Sequence, residues 1–533
     1  MGFTRHDHEV DSAYGLVPVG ESATTSGEVD LNPEAKDTEE RQRHGAMMPV
    51  ENRVDQSGGG RFDARMNVEQ ARAQIDRLWD ESIVPTLTEY IRIPNQSPVF
   101  DKDWEAHGFM DEAVELARKW VESRNIPNST LEVLRLEGRT PLLLLDIEGQ
   151  RDGHILMYGH LDKQPPFEGW RTDEGLGPWT PVYRDGKLYG RGGADDGYAI
   201  FGSVAAIEAL QAQNIPHPRV VVAIECSEES GSPDLPFYID KYADKIGAPD
   251  LVVCLDSGAG DYERLWATTS LRGIIAGDLK VHVLRDGVHS GDASGVVPSS
   301  FRVLRSILSR LEDPETGNIL PEQLHIEIPE ERVAQAHLAA EVLGTTVTGK
   351  YPYYKTMGPV DGAPGELLLN RTWRPALSVT GVDGMPTLEQ AGNVLRPFTA
   401  VKLSLRIPPG VDADVATEVL TRTLTENPPY GATVTFHAEK GAAGWEAPPT
   451  APWLEEALSA ASHNWYDAPH AAMGEGGSIP FMGMLGEKFP KAQFLITGVL
   501  GPESNAHGPN EFLHVPFAKR LTGCVADIIS RLP

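Results

Sequence analysis

The chain has 533 residues, 40% of them hydrophobic, and carries a formal charge of -30, from 47 Lys and Arg against 77 Asp and Glu. That length exceeds a single core and implies at least two domains, and the acidity excludes nucleic acid and anionic membrane surfaces as partners, because both would be repelled. Cys226, Cys254 and Cys524 are too few and too scattered for a disulfide framework or a Cys-rich zinc site, and no apolar stretch approaches the roughly 20 residues that cross a bilayer, so a reducing, cytoplasmic setting is expected.

Residues 1–65 are polar and acidic, with hardly an apolar cluster and Gly58-Gly59-Gly60 near their end. Such a stretch buries too little surface to offset its ordering entropy, and a disordered tail is expected. Over 67–92, Ile75, Leu78, Trp79, Ile83, Leu87 and Ile91 fall near helical spacing, and Ile93-Pro94 stops the helix. A second helix follows over 113–121, then strands over 131–134 and 142–147. The apolar run 154–159 ends in His160-Leu161-Asp162. A Gly-rich turn, Gly190-Arg191-Gly192-Gly193-Ala194-Asp195-Asp196-Gly197, precedes a helical run over 198–210. The buried-strand run 219–224 leads into Glu225 and Glu228-Glu229, the run 250–255 ends in Asp256, and 493–497 leads through a loop to His507. Alternating helices and strands up to about residue 268 indicate an α/β layer structure.

After Thr268 the texture changes. An alternating strand over 277–284, a helix over 299–311, a Pro- and Glu-rich segment, strands over 401–407 and 432–436 and a helix over 413–425 make a split βαβ pattern. A second, α+β domain is therefore expected over 269–440, inserted into a main domain formed by 66–268 and 441–533.

Each chemical signal alone is ordinary. A His-x-Asp after a strand is a common strand-end pair, and Asp-Asp before a helix is a common N-cap. Several apolar runs that each release a His, Asp or Glu at the carboxyl end, however, match the rule that open α/β sheets bind ligands beyond those ends. The candidates are His160, Asp195, Glu229, Asp256 and His507, all imidazole or carboxylate, a donor set suited to zinc, manganese or cobalt. Five donors exceed one catalytic ion with an open position and suit two ions if Asp195, on its stiff turn, bridges. Two ions about 3.5–4 Å apart can hold a hydroxide and polarise a carbonyl. Glu228 would then take the water's proton and return it to the leaving amine.

His160-x-Asp162, Gly190-Arg191-Gly192-x-x-Asp195, Glu228-Glu229-Ser230-Gly231-Ser232, Asp256, His289-Ser290-Gly291, Gly476-Gly477-Ser478-Ile479-Pro480 and Ala506-His507-x-x-Asn510-Glu511 occur in this order. This resembles the family of carnosinase, cytosolic nonspecific dipeptidase, carboxypeptidase G, acetylornithine deacetylase and succinyl-diaminopimelate desuccinylase, with the dipeptidase branch nearest, from about residue 70 onward. The resemblance implies a zinc-peptidase-like catalytic domain, with a mostly parallel sheet between helices, and an inserted ferredoxin-like lid through which a homodimer forms. It implies one metal on His160, Asp195 and Asp256 and a second on Asp195, Glu229 and His507, zinc first, with manganese or cobalt as alternatives. Asp162 would orient His160, Glu228 would be the base, and the Asp195-Asp196 peptide would be cis. His289 would steady the oxyanion in the partner subunit's site, and Arg406, Asn393, Gly476, Gly477 and Ser478 would hold the substrate carboxylate. Family members often carry Lys where this chain has Gly197 and Arg where it has Gly474. Both positions bear on the substrate pocket.

The expected activity is cleavage of the amide bond of a dipeptide or small peptide with a free carboxylate. An N-acyl amino acid deacylase shares the metal chemistry and differs only in the pocket. A non-catalytic binding protein on the same fold would be marked by loss of Glu228 or a ligand, and all are present. Neither a Gly-x-Ser-x-Gly elbow nor His-Glu-x-x-His occurs.

Overall fold

The computed structural model describes residues 65–533; the tail expected over 1–65 lies outside them apart from its last residue. The amphipathic run predicted over 67–92 forms helices Val68–Leu78 and Val84–Arg92, joined by a single π-helical turn, Trp79–Ile83. Asn67 caps the first by accepting from the Gln70 main-chain N–H. Pro85, which has no N–H to give, sits in the first turn of the second, just past the widened turn.

The main sheet has six strands in the order Ser129–Leu134, Leu142–Ile147, Arg219–Glu225, His154–His160, Leu251–Cys254, Gln493–Ile496. The last four run parallel to one another, and the first two join antiparallel at one edge. Because strand side chains alternate between faces, the central runs are apolar at every position: Ile155, Met157, Val220 and Val222 feed one core, while Leu156, Tyr158, Val221 and Ala223 feed the other. Helices Val68–Leu78, Ala199–Gln211 and Val515–Ser530 cover the first face. Among the described residues no helix is long and apolar enough to cross a membrane.

A second sheet has the order Ala376–Asp383, Phe398–Ile407, Gly273–His282, Thr433–Ala438, antiparallel throughout. Helices Ser300–Leu308 and Ala413–Thr425 bury Val303, Leu304, Ile307, Ala416 and Leu420 in a core of its own. Three of its strands and both helices fall where the sequence places them, and Ala376–Asp383 adds a strand inside the stretch that reads as a Pro- and Glu-rich segment. The rest of that stretch behaves differently. Its helices Glu330–Leu343 and Pro364–Thr372 send Ala336, Ala339, Ala340, Leu368 and Leu369 into the main core, and the first packs on the strand Ala471–Glu475. That strand runs parallel to Trp266–Leu271 in a third, three-stranded sheet.

Candidate active site

The parallel strands run in one direction, so the residues that follow them gather at one edge. His160 closes its strand, Glu228 and Glu229 sit on a short 3-10 turn three residues past Glu225, Asp256 lies two residues past Cys254, and His507 lies in the loop beyond Ile496. Asp195 enters from the Gly193–Gly197 turn that precedes helix Ala199–Gln211, and its peptide bond to Asp196 is cis, as expected.

The geometry centres on Asp195. Its Oδ1 is 3.4 Å from His160 Nε2 and its Oδ2 is 3.0 Å from His507 Nε2. His160 Nε2 is also 3.7 Å from Asp256 Oδ2, and His507 Nε2 is 3.5 Å from Glu229 Oε2. Two three-residue groups result, His160 with Asp195 and Asp256, and Asp195 with Glu229 and His507, each with donor atoms within 4.8 Å of one another. His160 Nε2 and Glu229 Oε1 are buried and have no hydrogen-bond partner among the described residues. A buried donor or acceptor without a partner is costly, and here such atoms converge with imidazole and carboxylate neighbours. Burial raises Asp256 to about 6 and Glu229 to about 8, and the Asp195 charge adds to both. A divalent ion in either group would relieve both penalties, so these residues fit a metal pair.

Asp162 faces both His160 and the Glu228-Glu229 loop. The oxygen nearest His160 Nδ1 is the Asp162 main-chain carbonyl at 3.0 Å, with the carboxylate at 3.5 Å. The carboxylate also accepts the main-chain N–H of Glu228 at 3.0 Å and of Glu229 at 2.9 Å. Behind the same loop, buried Glu225 accepts hydrogen bonds from the hydroxyls of Tyr158, Ser227 and Ser232. A buried Arg191–Glu511 ion pair ties the glycine turn to the His507 loop: Glu511 also accepts the Gly192 N–H at 2.9 Å, and Arg191 donates to the Gly508 carbonyl at 2.9 Å. Arg191 and Glu511 fall within motifs of the sequence, but no local signal marks their pairing or the place of Glu225.

A cleft of about 450 Å³ opens over the cluster, lined by Asp195, Glu228, Asp256 and His507 and by Gly477 and Ser478. Arg406 Nη1 donates to Ser478 Oγ at 3.0 Å, beside that wall. His289 and Asn393 sit together on an exposed ribbon, where Val288–His289 pairs with Val394–Leu395, and neither lines the cleft. The two departures from the resemblance have steric reasons. A Cβ at Gly197 would lie 2.2 Å from Tyr90 Cε1 and 2.6 Å from the Gly192 carbonyl oxygen, and one at Gly474 would lie 2.3 Å from Ser270 Oγ and 2.9 Å from Thr372 Cβ. The cleft is also lined by Lys350, Arg371 and Glu475, which no periodicity or strand end marked.

Fold and site together define an α/β protein whose paired His and carboxylate clusters share one aspartate. The sequence pattern of peptidase family M20/M25/M40 matches residues 156–531, and the chain belongs to that family. It is similar to the cysteinylglycine-S-conjugate dipeptidase of Corynebacterium striatum, 29% identical over 377 residues, which cover 68% of this chain and 79% of the relative. It is 26% identical over 373 residues, 67% of this chain and 75% of the relative, to the Cys-Gly metallodipeptidase dug1 of Schizosaccharomyces pombe. Its fold is similar to that of the di-peptidase Dug1p of Saccharomyces cerevisiae, with a TM-score of 0.68, 22% identity and coverage of 88% and 99% of the two chains.

Proposed function

We propose that this chain is a metal-dependent dipeptidase that hydrolyses the amide bond of a small peptide with a free carboxylate. The observation that carries this reading is the Asp195 carboxylate between His160 Nε2 at 3.4 Å and His507 Nε2 at 3.0 Å, with Glu228 facing the same cleft. His160, Asp195 and Asp256 would hold one divalent ion and Asp195, Glu229 and His507 the second, zinc first, with manganese or cobalt as alternatives. Bound there, such ions supply Lewis-acid polarisation and an activated water.

The chain's own groups do the rest. Glu228 takes a proton from the attacking water and delivers it to the departing amine nitrogen. Burial, and after it the Asp256 charge, push its carboxyl well above the usual range, which favours a group that carries a proton for part of the cycle. Asp162 holds Glu228 and Glu229 in place through their main-chain N–H groups. Arg406, with the Gly476-Gly477-Ser478 loop, receives the substrate carboxylate. His289 and Asn393, exposed and away from this cleft, would serve the partner subunit's site in a homodimer formed through the 269–440 unit, in the cytoplasm.

The test is a panel of dipeptides and N-acyl amino acids offered to the purified chain with zinc, manganese or cobalt, before and after chelation. Dipeptide hydrolysis that vanishes on chelation and returns with metal is the expected result. Cleavage of N-acyl amino acids alone would shift the reading to a deacylase, and hydrolysis unaffected by chelation would refute the metal reading.

A further inference from the structure

In a chain with a formal charge of -30, four cations gather on one wall of the catalytic cleft. Lys350 and Arg371 line the cleft, while Arg272 and Arg406 stand beside the Gly476–Ser478 stretch of that wall. Among the described residues, no Asp or Glu oxygen lies within 4.0 Å of the charged group of any of the four. Arg374, three residues from Arg371, shows the ordinary arrangement, with Glu366 at 2.7 Å.

The four differ in what they already hold. Arg272 is buried and spends its donors on the carbonyls of Gly476, Asn370 and Arg374, joining the loop to the end of helix Pro364–Thr372. Arg406 reaches Ser478 Oγ. Arg371 has only a weak contact, Nη2 to Met473 Sδ at 3.7 Å, and its buried Nε has no partner among the described residues. Burial, and then the charges of Arg406 and Arg371, push Arg272 down to about 10. Lys350 is also held below the ordinary lysine range, by the surrounding protein first and by the Arg371 charge second, although the residue as a whole stays exposed. Like charges in such proximity disfavour one another; outside the metal groups and Glu228 the cleft is lined by two carboxylates, Glu475 and Glu503, of which Glu475 acts on Lys350.

Arg371 reaches the wall by a specific route. Gly474 and Gly476 leave a notch for the end of helix Pro364–Thr372: a Cβ at 474 would crowd Thr372, and one at 476 would lie 3.0 Å from the Arg371 carbonyl oxygen and 3.2 Å from its Cγ. The substrate carboxylate of the proposed function occupies Arg406 and the 476–478 loop. That leaves Arg371 and Lys350 in the cleft without an ion pair, since the Glu475 carboxylate lies more than 4.0 Å from the charged group of either.

We propose that the substrate carries a second carboxylate, received by Arg371 and Lys350, so that the cleft selects dicarboxylate amides over neutral ones. This rests on the dipeptidase reading for which bond is broken, but not for what the wall binds. A guanidinium with free donors and an ammonium beside it suit a carboxylate, which accepts from both. The second carboxylate has two possible sources, the side chain of an acidic residue in a dipeptide or the far end of a dicarboxylic acyl group.

The experiment compares kcat/KM of the metal-loaded full chain on matched pairs, Ala-Glu against Ala-Gln for the first source and N-succinyl-alanine against N-acetyl-alanine for the second. At least one dianionic member is expected to exceed its match tenfold or more, and Arg371→Met and Lys350→Met should each bring that ratio below threefold. Arg371→Lys, which keeps the charge, should retain most of it, and Lys350 is exposed enough for its variant to fold. Ratios near one in the unmodified chain, or ratios unchanged in both methionine variants, would overturn the proposal. If none of the four amides is cleaved, the dipeptidase reading fails by itself and calorimetry decides this one. Glutarate binding tenfold tighter than butyrate, with the difference lost in Arg371→Met or Lys350→Met, supports the second subsite, and equal affinities refute it.

Discussion

Asp162 Oδ1 accepts the main-chain N–H of Glu228 at 3.0 Å, while Oδ2 accepts that of Glu229 at 2.9 Å. One fully buried carboxylate therefore sets the position of a two-residue loop that carries the proposed base and a proposed metal ligand. Asp162→Asn keeps the shape but turns an amide donor toward one of those N–H groups. The expected outcome is a fall in kcat of about 100-fold, the scale of a displaced general base, with KM within a few-fold and a native circular dichroism spectrum. A kcat near the unmodified value would separate Asp162 from the catalytic loop.

Glu228 lines the cleft, yet belongs to neither three-residue donor group. Glu228→Ala should reduce kcat by about 10²–10⁴ while elemental analysis finds the metal content unchanged. Retained turnover would remove it as the base, and lost metal would recast it as a ligand.

His507 reaches the cluster from a loop, and its side chain is 56% exposed. Its removal should therefore spare the fold and deplete only the group it shares with Asp195 and Glu229. His507→Ala is expected to lower both rate and metal stoichiometry. Unchanged stoichiometry would take it off the ligand list.

Chelation should destabilise the whole chain. The clustered carboxylates are buried or half-buried, and ions that bind only the folded state stabilise it by about 2.7 kcal/mol at 100 times Kd. A thermal melt after chelation should show a lower Tm that zinc, manganese or cobalt restores. A Tm indifferent to metal would argue against ions at this cluster.

Glu225, which belongs to neither donor group, gives a pH signature of its own. Burial, and then the Asp162 charge, raise its carboxyl from an ordinary 4.5 to about 7. A carboxyl raised by folding binds more protons in the folded state, so its contribution to stability is complete below about 4.5 and is lost as pH climbs through about 7. Glu225→Gln keeps the contacts of the protonated form and cannot ionise. Melts of the metal-loaded protein at pH 5 and pH 8 should show the variant gaining on the unmodified chain at the higher pH, and parallel curves would refute the shift.

The six strands of the main sheet and the His and carboxylate residues that follow them are legible in the sequence, because both signals are local. A fully apolar run such as Val220-Val221-Val222-Ala223-Ile224 is a buried strand whatever surrounds it, and a His or carboxylate released at the end of a parallel strand can only arrive at the ligand-binding edge. The second sheet is legible only in part, since its edge strand Ala376–Asp383 lies in the Pro- and Glu-rich segment and carries no such signal. Which groups share a space emerges from the folded chain alone. The fold turned the Asp162 carboxylate to the Glu228-Glu229 main chain, paired Arg191 with Glu511, and explained Gly197 by the Tyr90 ring and Gly474 by Thr372. It also brought Lys350 and Arg371 to the cleft from a stretch that reads as a Pro- and Glu-rich connection. Those outcomes depend on contacts between residues far apart in the chain, and no local period or spacing encodes the wall on which a distant side chain comes to rest.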